Sequence, residues 1–154
     1  MWYVPVQDTN FVNWEGGIIG SAAVNDQYID KDDQHLSAVV ALDGYLYVFN
    51  HEFTSGDSVT GPGQQKNYPT PELVYKHYVG PSISTPVFTD NTLLVASYNG
   101  LFLFSYDDKC LFTLKDKFNG TFESTPVVLN QKAYIASRNG YLYCFGNKNM
   151  LEKR

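Results

Sequence analysis

Cysteine, methionine and tryptophan are scarce: the 154 residues hold only two of each. A lattice of several disulfides is therefore excluded, and Cys110 and Cys144 stand far apart in the chain. Alanine and glutamate, the favoured helix formers, number only 7 and 5, which argues against a helical bundle. No apolar run approaches the ~18 residues a bilayer-spanning helix needs. The start, Met1-Trp2-Tyr3-Val4-Pro5, lacks the basic residues and apolar middle of a secretion signal, so no export address is visible. Charged residues make up only 18%, with a net charge of −5; the surface this implies does not suit nucleic acid. No His-Glu-x-x-His, Gly-x-Ser-x-Gly or Gly-Lys-Ser/Thr motif occurs. What is abundant is Val, Ile, Thr and aromatic residues, about a third of all positions, the composition of pleated, half-buried sheet. Aromatics at 16% also exclude intrinsic disorder.

Self-similarity is the strongest signal. Gly80 to Gly100 reads GPSISTPVFTDNTLLVASYNG and Gly120 to Gly140 reads GTFESTPVVLNQKAYIASRNG, an ungapped offset of 40 with nine identities. The identities are Gly80/Gly120, Ser84-Thr85-Pro86-Val87 on Ser124-Thr125-Pro126-Val127, Ala96-Ser97 on Ala136-Ser137, and Asn99-Gly100 on Asn139-Gly140. A looser copy lies upstream, with Gly17 and Ser21 set on Gly80 and Ser84, Val24 on Val87, and Asp43-Gly44 on Asn-Gly. Its excess length falls around Asn25–His35 and His51–Pro71.

Asn-Gly or Asp-Gly between apolar runs predicts a hairpin with a type I′ turn. Leu93–Tyr98 with Leu101–Ser105, and Ala133–Arg138 with Tyr141–Phe145, are therefore expected as antiparallel pairs. The Ser-Thr-Pro-Val block borders an earlier strand, where proline's missing donor is harmless. A fourth strand is expected over Leu73–Tyr78 and again over Cys110–Leu114. Alternation in Tyr45-Leu46-Tyr47, Phe102-Leu103-Phe104 and Tyr141-Leu142-Tyr143 puts side chains on both faces of each sheet, to be buried by its neighbours. Four short strands in about forty residues, in tandem, match one blade of a β-propeller.

The sequence Gly-x-x-x-Ser-Thr-Pro-Val, a strand ending Ala-Ser, then Asn-Gly and Tyr-Leu-Tyr resembles the pyrroloquinoline-quinone-type repeat of the quinoprotein-alcohol-dehydrogenase-like propellers. The resemblance covers roughly Gly17 to Leu151. It implies an all-β propeller sector of about three four-stranded blades, over residues 17–79, 80–119 and 120–154 of a single segment. Strands in residues 2–14 would belong to a neighbouring or closing blade. Three blades are too few for a closed ring, so the sector is expected to belong to a larger ring or to share one with another copy. The resemblance also leans toward an extracytoplasmic, periplasmic or cell-surface, setting. Quinone enzymes of this fold use adjacent cysteines, a tryptophan platform and a carboxylate beside calcium. Here no Cys-Cys pair occurs, and the only tryptophans are Trp2 and Trp14. No cofactor is therefore expected; quinone and calcium remain the alternatives the family brings.

Candidate sites fall in the two inserts. The acidic stretch Asn25–His35 makes Asp30, Asp32 and Asp33 the metal candidates, because clustered carboxylates suit calcium. Their spacing lacks the glycine turn of a calcium-binding helix-loop, and a solvated acidic loop is the competing reading. The stretch His51–Pro71, rich in glycine and proline, reads as an irregular excursion from the blade, with Tyr68 and Lys66 as partner-contacting residues. The histidines His35, His51 and His77 have no ligand spacing. Ser21, Ser84 and Ser124, recurring at one repeat position, read as structural. The expectation is a non-catalytic protein-binding scaffold, able to self-associate to complete a ring. Alternatives are a fragment of a quinone- or metal-dependent oxidoreductase and a carbohydrate-binding propeller.

Overall fold

The computed structural model describes residues 17–28, 34–60 and 67–146. Among them is no α-helix, only a short 3-10 turn at Asp26–Tyr28. Eleven strands form three antiparallel sheets. Sheet one runs β1 (Ala23–Val24), β2 (Leu36–Val40), β3 (Tyr45–Thr60) and β4 (Asn67–Tyr78) side by side in chain order. Sheet two does the same with β5 (Val87–Thr89), β6 (Thr92–Ser97), β7 (Gly100–Ser105) and β8 (Thr113–Phe118). Sheet three contains β9 (Val127–Leu129), β10 (Lys132–Ala136) and β11 (Leu142–Gly146). The expected strands at residues 2–14 lie outside the described residues.

Alternation dictates how the sheets stack. From β2 and β3, Leu36, Ala38, Val40, Leu46 and Val48 meet Leu93, Val95, Phe102 and Phe104 from β6 and β7 in one core cluster. The intervening residues of β6 and β7, Leu94, Ala96, Leu101 and Leu103, turn the other way and pack on Ala133, Ile135, Tyr143 and Phe145 of sheet three. Sheet two is thus buried on both faces. Phe104 is fully enclosed, its ring 5.9 Å from Tyr75 and 5.3 Å from His77. Such burial contributes about 2–3 kcal/mol. Sheet three has one covered face; on the other, Val127, Leu129 and Leu142 are exposed.

The leading strands are joined by a repeated hydrogen bond. The Ser21 N–H donates to Thr85 Oγ1 (2.9 Å), and the Thr85 N–H donates to Thr125 Oγ1 (3.1 Å). The buried Ser84 adds a bond from Oγ to the Ser124 carbonyl (3.0 Å). The recurring Ala-Ser pair is structural as well, since Ser97 Oγ donates to the Val79 carbonyl (2.6 Å) and Ser137 Oγ to the Thr121 carbonyl (3.0 Å).

Four expectations need correction. Ser21 does the work of Thr85, not of Ser84, and Ala23 pairs with Ala38 as Val87 pairs with Leu94. The first copy is therefore shifted by one position, and a one-residue slip would have reversed every side chain. The turns at Asp43-Gly44 and Asn139-Gly140 are three-residue connections, closed by Ala41 N–H to Tyr45 O (3.1 Å) and Ser137 N–H to Tyr141 O (2.9 Å). Only the glycine has positive φ, +90° at Gly44 and +86° at Gly140. This is a type I turn with a glycine bulge rather than type I′. Cys110 does not open the outer strand, which starts at Thr113. Instead Cys110 closes a turn at φ 57°, donating its N–H to Asp107 O (2.8 Å), while Asp107 Oδ1 accepts from the N–H groups of Lys109 and Leu111. Finally, the stretch at residues 51–71 is not an irregular excursion: its described residues are strand, the outer parts of β3 and β4.

Candidate functional site

Beyond Asn50, where β2 ends its pairing opposite Leu36, only β3 and β4 continue. They run on as a two-stranded ribbon pairing Thr54 with Pro71, Ser58 with Pro69, Val59 with Tyr68 and Thr60 with Asn67. Proline is tolerated because β4 is the edge strand of sheet one, and the register shifts fall beside Pro69 and Pro71. Polar rungs brace the ribbon: Thr60 Oγ1 donates to Asn67 Oδ1 (3.1 Å), and the hydroxyls of Ser55 and Thr70 meet. Gly56, at φ +88° with open space around it, supplies the bulge conformation. Glu52 to Ser58 are all exposed, Phe53 by 57%. Tyr68 lies half-buried within the β4 arm opposite Val59. Lys66 falls outside the described residues, as do Asp30, Asp32 and Asp33.

The root of this ribbon gathers residues that no local spacing connects. Asp26 stands in the 3-10 turn after β1, His35 immediately before β2, and His51 and Glu52 where β3 leaves the sheet. His35 Nδ1 lies 3.0 Å from Asp26 Oδ1, and His51 Nε2 lies 3.5 Å from the same oxygen. The other nitrogen of His35 faces Glu52 Oε1 at 3.7 Å. The rings meet edge to face with centroids 5.8 Å apart. One nitrogen from each imidazole and one carboxylate oxygen fall within 4.8 Å of one another. His51 Nδ1 is buried with no hydrogen-bond partner among the described residues.

Three amides hold this arrangement from beneath. Asp26, His35 and His51 each follow an amide residue, namely Asn25, Gln34 and Asn50. Asn25, fully buried, accepts from the Leu36 N–H at Oδ1 (2.7 Å) and donates from Nδ2 to the Gln34 carbonyl (3.1 Å). Asn50, also fully buried, donates from Nδ2 to Gln34 Oε1 and accepts from the Glu52 N–H at Oδ1 (3.0 Å). A backbone bond from His51 N–H to His35 O (3.0 Å) locks the two histidine segments together. The buried, satisfied amides Asn25 and Asn50, bridged by the exposed Gln34, fix the neighbouring side chains in position. The amide before each of the three residues is a local pattern that does not show where the residues meet; strand pairing brings them together.

The remaining candidates are structural. His77 packs away from this cluster, stacked on Tyr75 and bonded to its hydroxyl (3.2 Å). Ser124 Oγ donates to the Ala136 carbonyl (3.0 Å). Cys110 is buried and Cys144 exposed, both as free thiols. Burial pushes the Cys110 thiol above its ordinary pKa, with Asp107 and Glu72 adding to the rise. Burial likewise raises the Tyr75 and Tyr106 hydroxyls. No family model matches the chain, and no curated protein matches it significantly.

Proposed function

We propose that the three sheets are consecutive blades of a β-propeller sector, and that the chain is a non-catalytic scaffold binding a protein partner through the β3–β4 ribbon. The two-sided burial of sheet two and the repeated bond between leading strands support the blade reading. The observation that carries the binding reading is the ribbon itself. It leaves the sheet at Asn50, is braced along its length, and holds Phe53 in solvent. Rigid sheets that present such extensions are suited to recognition, because the extension is ordered before the partner arrives. The uncovered apolar face of sheet three, with Val127, Leu129 and Leu142 exposed, is where a further blade would stack, from this protein or a second copy. A quinone does not fit the chain's own residues, since Cys110 and Cys144 lie in different repeats and no cysteine pair is adjacent.

A photo-crosslinking residue at Phe53, compared with one at the exposed Lys115 on β8, tests the ribbon's role in the native host. Discrete adducts from position 53 and none from 115 are expected. Equal or absent adducts at both would remove the ribbon as the contact.

A further inference from the structure

We propose that Asp26, His35 and His51 form a binding site for a divalent cation of the zinc class, with Glu52 as the positioning residue for His35. The inference depends only on the local geometry of sheet one and stands apart from the blade and partner readings.

The distances fit the ion. Zinc bonded to nitrogen and oxygen at about 2.0–2.1 Å in a tetrahedron places neighbouring ligand atoms about 3.3–3.4 Å apart. The two edges that share Asp26 Oδ1 measure 3.0 and 3.5 Å. The third, between the two imidazoles, is bounded by the 4.8 Å spread of the set. It closes by a shift of at most about 1.5 Å, which side-chain rotation supplies. Asp26 is the most exposed of the three, so it has room to follow the ion.

Donor chemistry selects the class. Two imidazole nitrogens and one carboxylate favour zinc and its neighbours in the first transition row. Calcium and magnesium prefer oxygen throughout and higher coordination numbers. For His35 the site also has an outer carboxylate of the kind that a metal-bound histidine uses. With His35 ligating through Nδ1, its Nε2 lies 3.7 Å from Glu52 Oε1, an ion-pair distance at which the carboxylate favours this ring orientation and needs only a small shift to accept the Nε2–H. The bonded amides Asn25, Gln34 and Asn50 hold the backbone of all three ligand positions. A simple ion pair needs none of this convergence: one hydrogen bond satisfies Asp26 and His35, whereas His51 also turns Nε2 to the same oxygen. The bound ion would tie the segment after β1 to the ribbon's root and fix the angle at which the ribbon leaves the sheet.

The test uses the full chain, stripped with chelator and titrated with Zn²⁺ and, separately, Ca²⁺ by calorimetry. Saturable uptake of one Zn²⁺ per chain is expected, with no Ca²⁺ uptake. In the same unsubstituted protein, Zn²⁺ should move the imidazole NMR signals of His35 and His51 and leave those of His77 in place. His51→Ala should abolish uptake, and Glu52→Gln should weaken it about tenfold without removing it. The proposal is overturned by absence of saturable Zn²⁺ uptake, by uptake that leaves the His35 and His51 signals unmoved, or by equally tight Ca²⁺ binding. Because the NMR readout needs no substitution, misfolding of a variant does not protect the idea.

Discussion

Gly100 and Gly140 occupy the same repeat position and both follow asparagine, yet alanine should cost very different amounts at the two. At Gly140, φ is +86° and a Cβ would meet nothing within 4 Å among the described residues. Alanine there bears only the left-handed backbone penalty, about 1–2 kcal/mol. Restricting the unfolded chain offsets about 0.4–1 kcal/mol of it, leaving a net loss near 1 kcal/mol. At Gly100, φ is +145° and a Cβ would stand 2.6 Å from the Phe118 carbonyl oxygen on β8. That is backbone, and it cannot rotate away. Relief requires parting the Leu101–Phe118 pair and disturbing the Phe118 ring, 4.8 Å from Phe145 and 6.2 Å from Phe122. Overpacking of this sort adds about 1–3 kcal/mol, for a total near 3 kcal/mol. The gap of about 2 kcal/mol corresponds to about 4–8 °C in melting temperature for a chain of this size. Urea unfolding of Gly100→Ala and Gly140→Ala, with unchanged m-values, measures it. Equal losses, or a larger one at Gly140, would refute the claim that β8 packs against the turn of sheet two as described.

Two further outcomes concern the thiols and alkaline pH. Iodoacetamide on the native protein should label the exposed Cys144 quickly and the buried Cys110 only on unfolding, read by peptide mass; equal rates would contradict the packing of Cys110. Since burial holds the Cys110 thiol and the Tyr75 and Tyr106 hydroxyls protonated longer in the folded chain, the unfolded state releases these protons first. Their contribution is therefore complete at neutral pH and lost progressively from about pH 8.5 upward, where free thiols and then tyrosines ionise. A denaturant midpoint that stays level from neutrality to pH 11 would count against it.

The hairpins and their order were legible because Gly44, Gly100 and Gly140 punctuate apolar alternation, and alternation alone predicts the two-faced burial of Leu93/Val95 against Leu94/Ala96. The details that misled have physical causes. Adjacent glycines at 16 and 17 let the first copy be aligned one place off, and only the partner of the Ser21 amide reveals the true register. Asn-Gly suits a type I′ turn, but a glycine bulge uses the same dipeptide with one positive φ instead of two. Pro69 and Pro71 argue for a loop by composition, whereas an edge strand accepts both. The meeting of Asp26, His35 and His51 was illegible, because strand pairing brings it about across an insert whose length says nothing of where its ends return.

The bond that runs from Ser21 to Thr85 to Thr125 has a direction. Each segment leading into a sheet gives its amide hydrogen to the hydroxyl of the next, so among the described residues the series starts with the Ser21 amide and finishes on the Thr125 hydroxyl. Two copies meeting by a twofold axis at either end would oppose like with like. A further sheet that extended this bond would therefore have to add head to tail, by a heterologous contact of the kind that closes only as a ring.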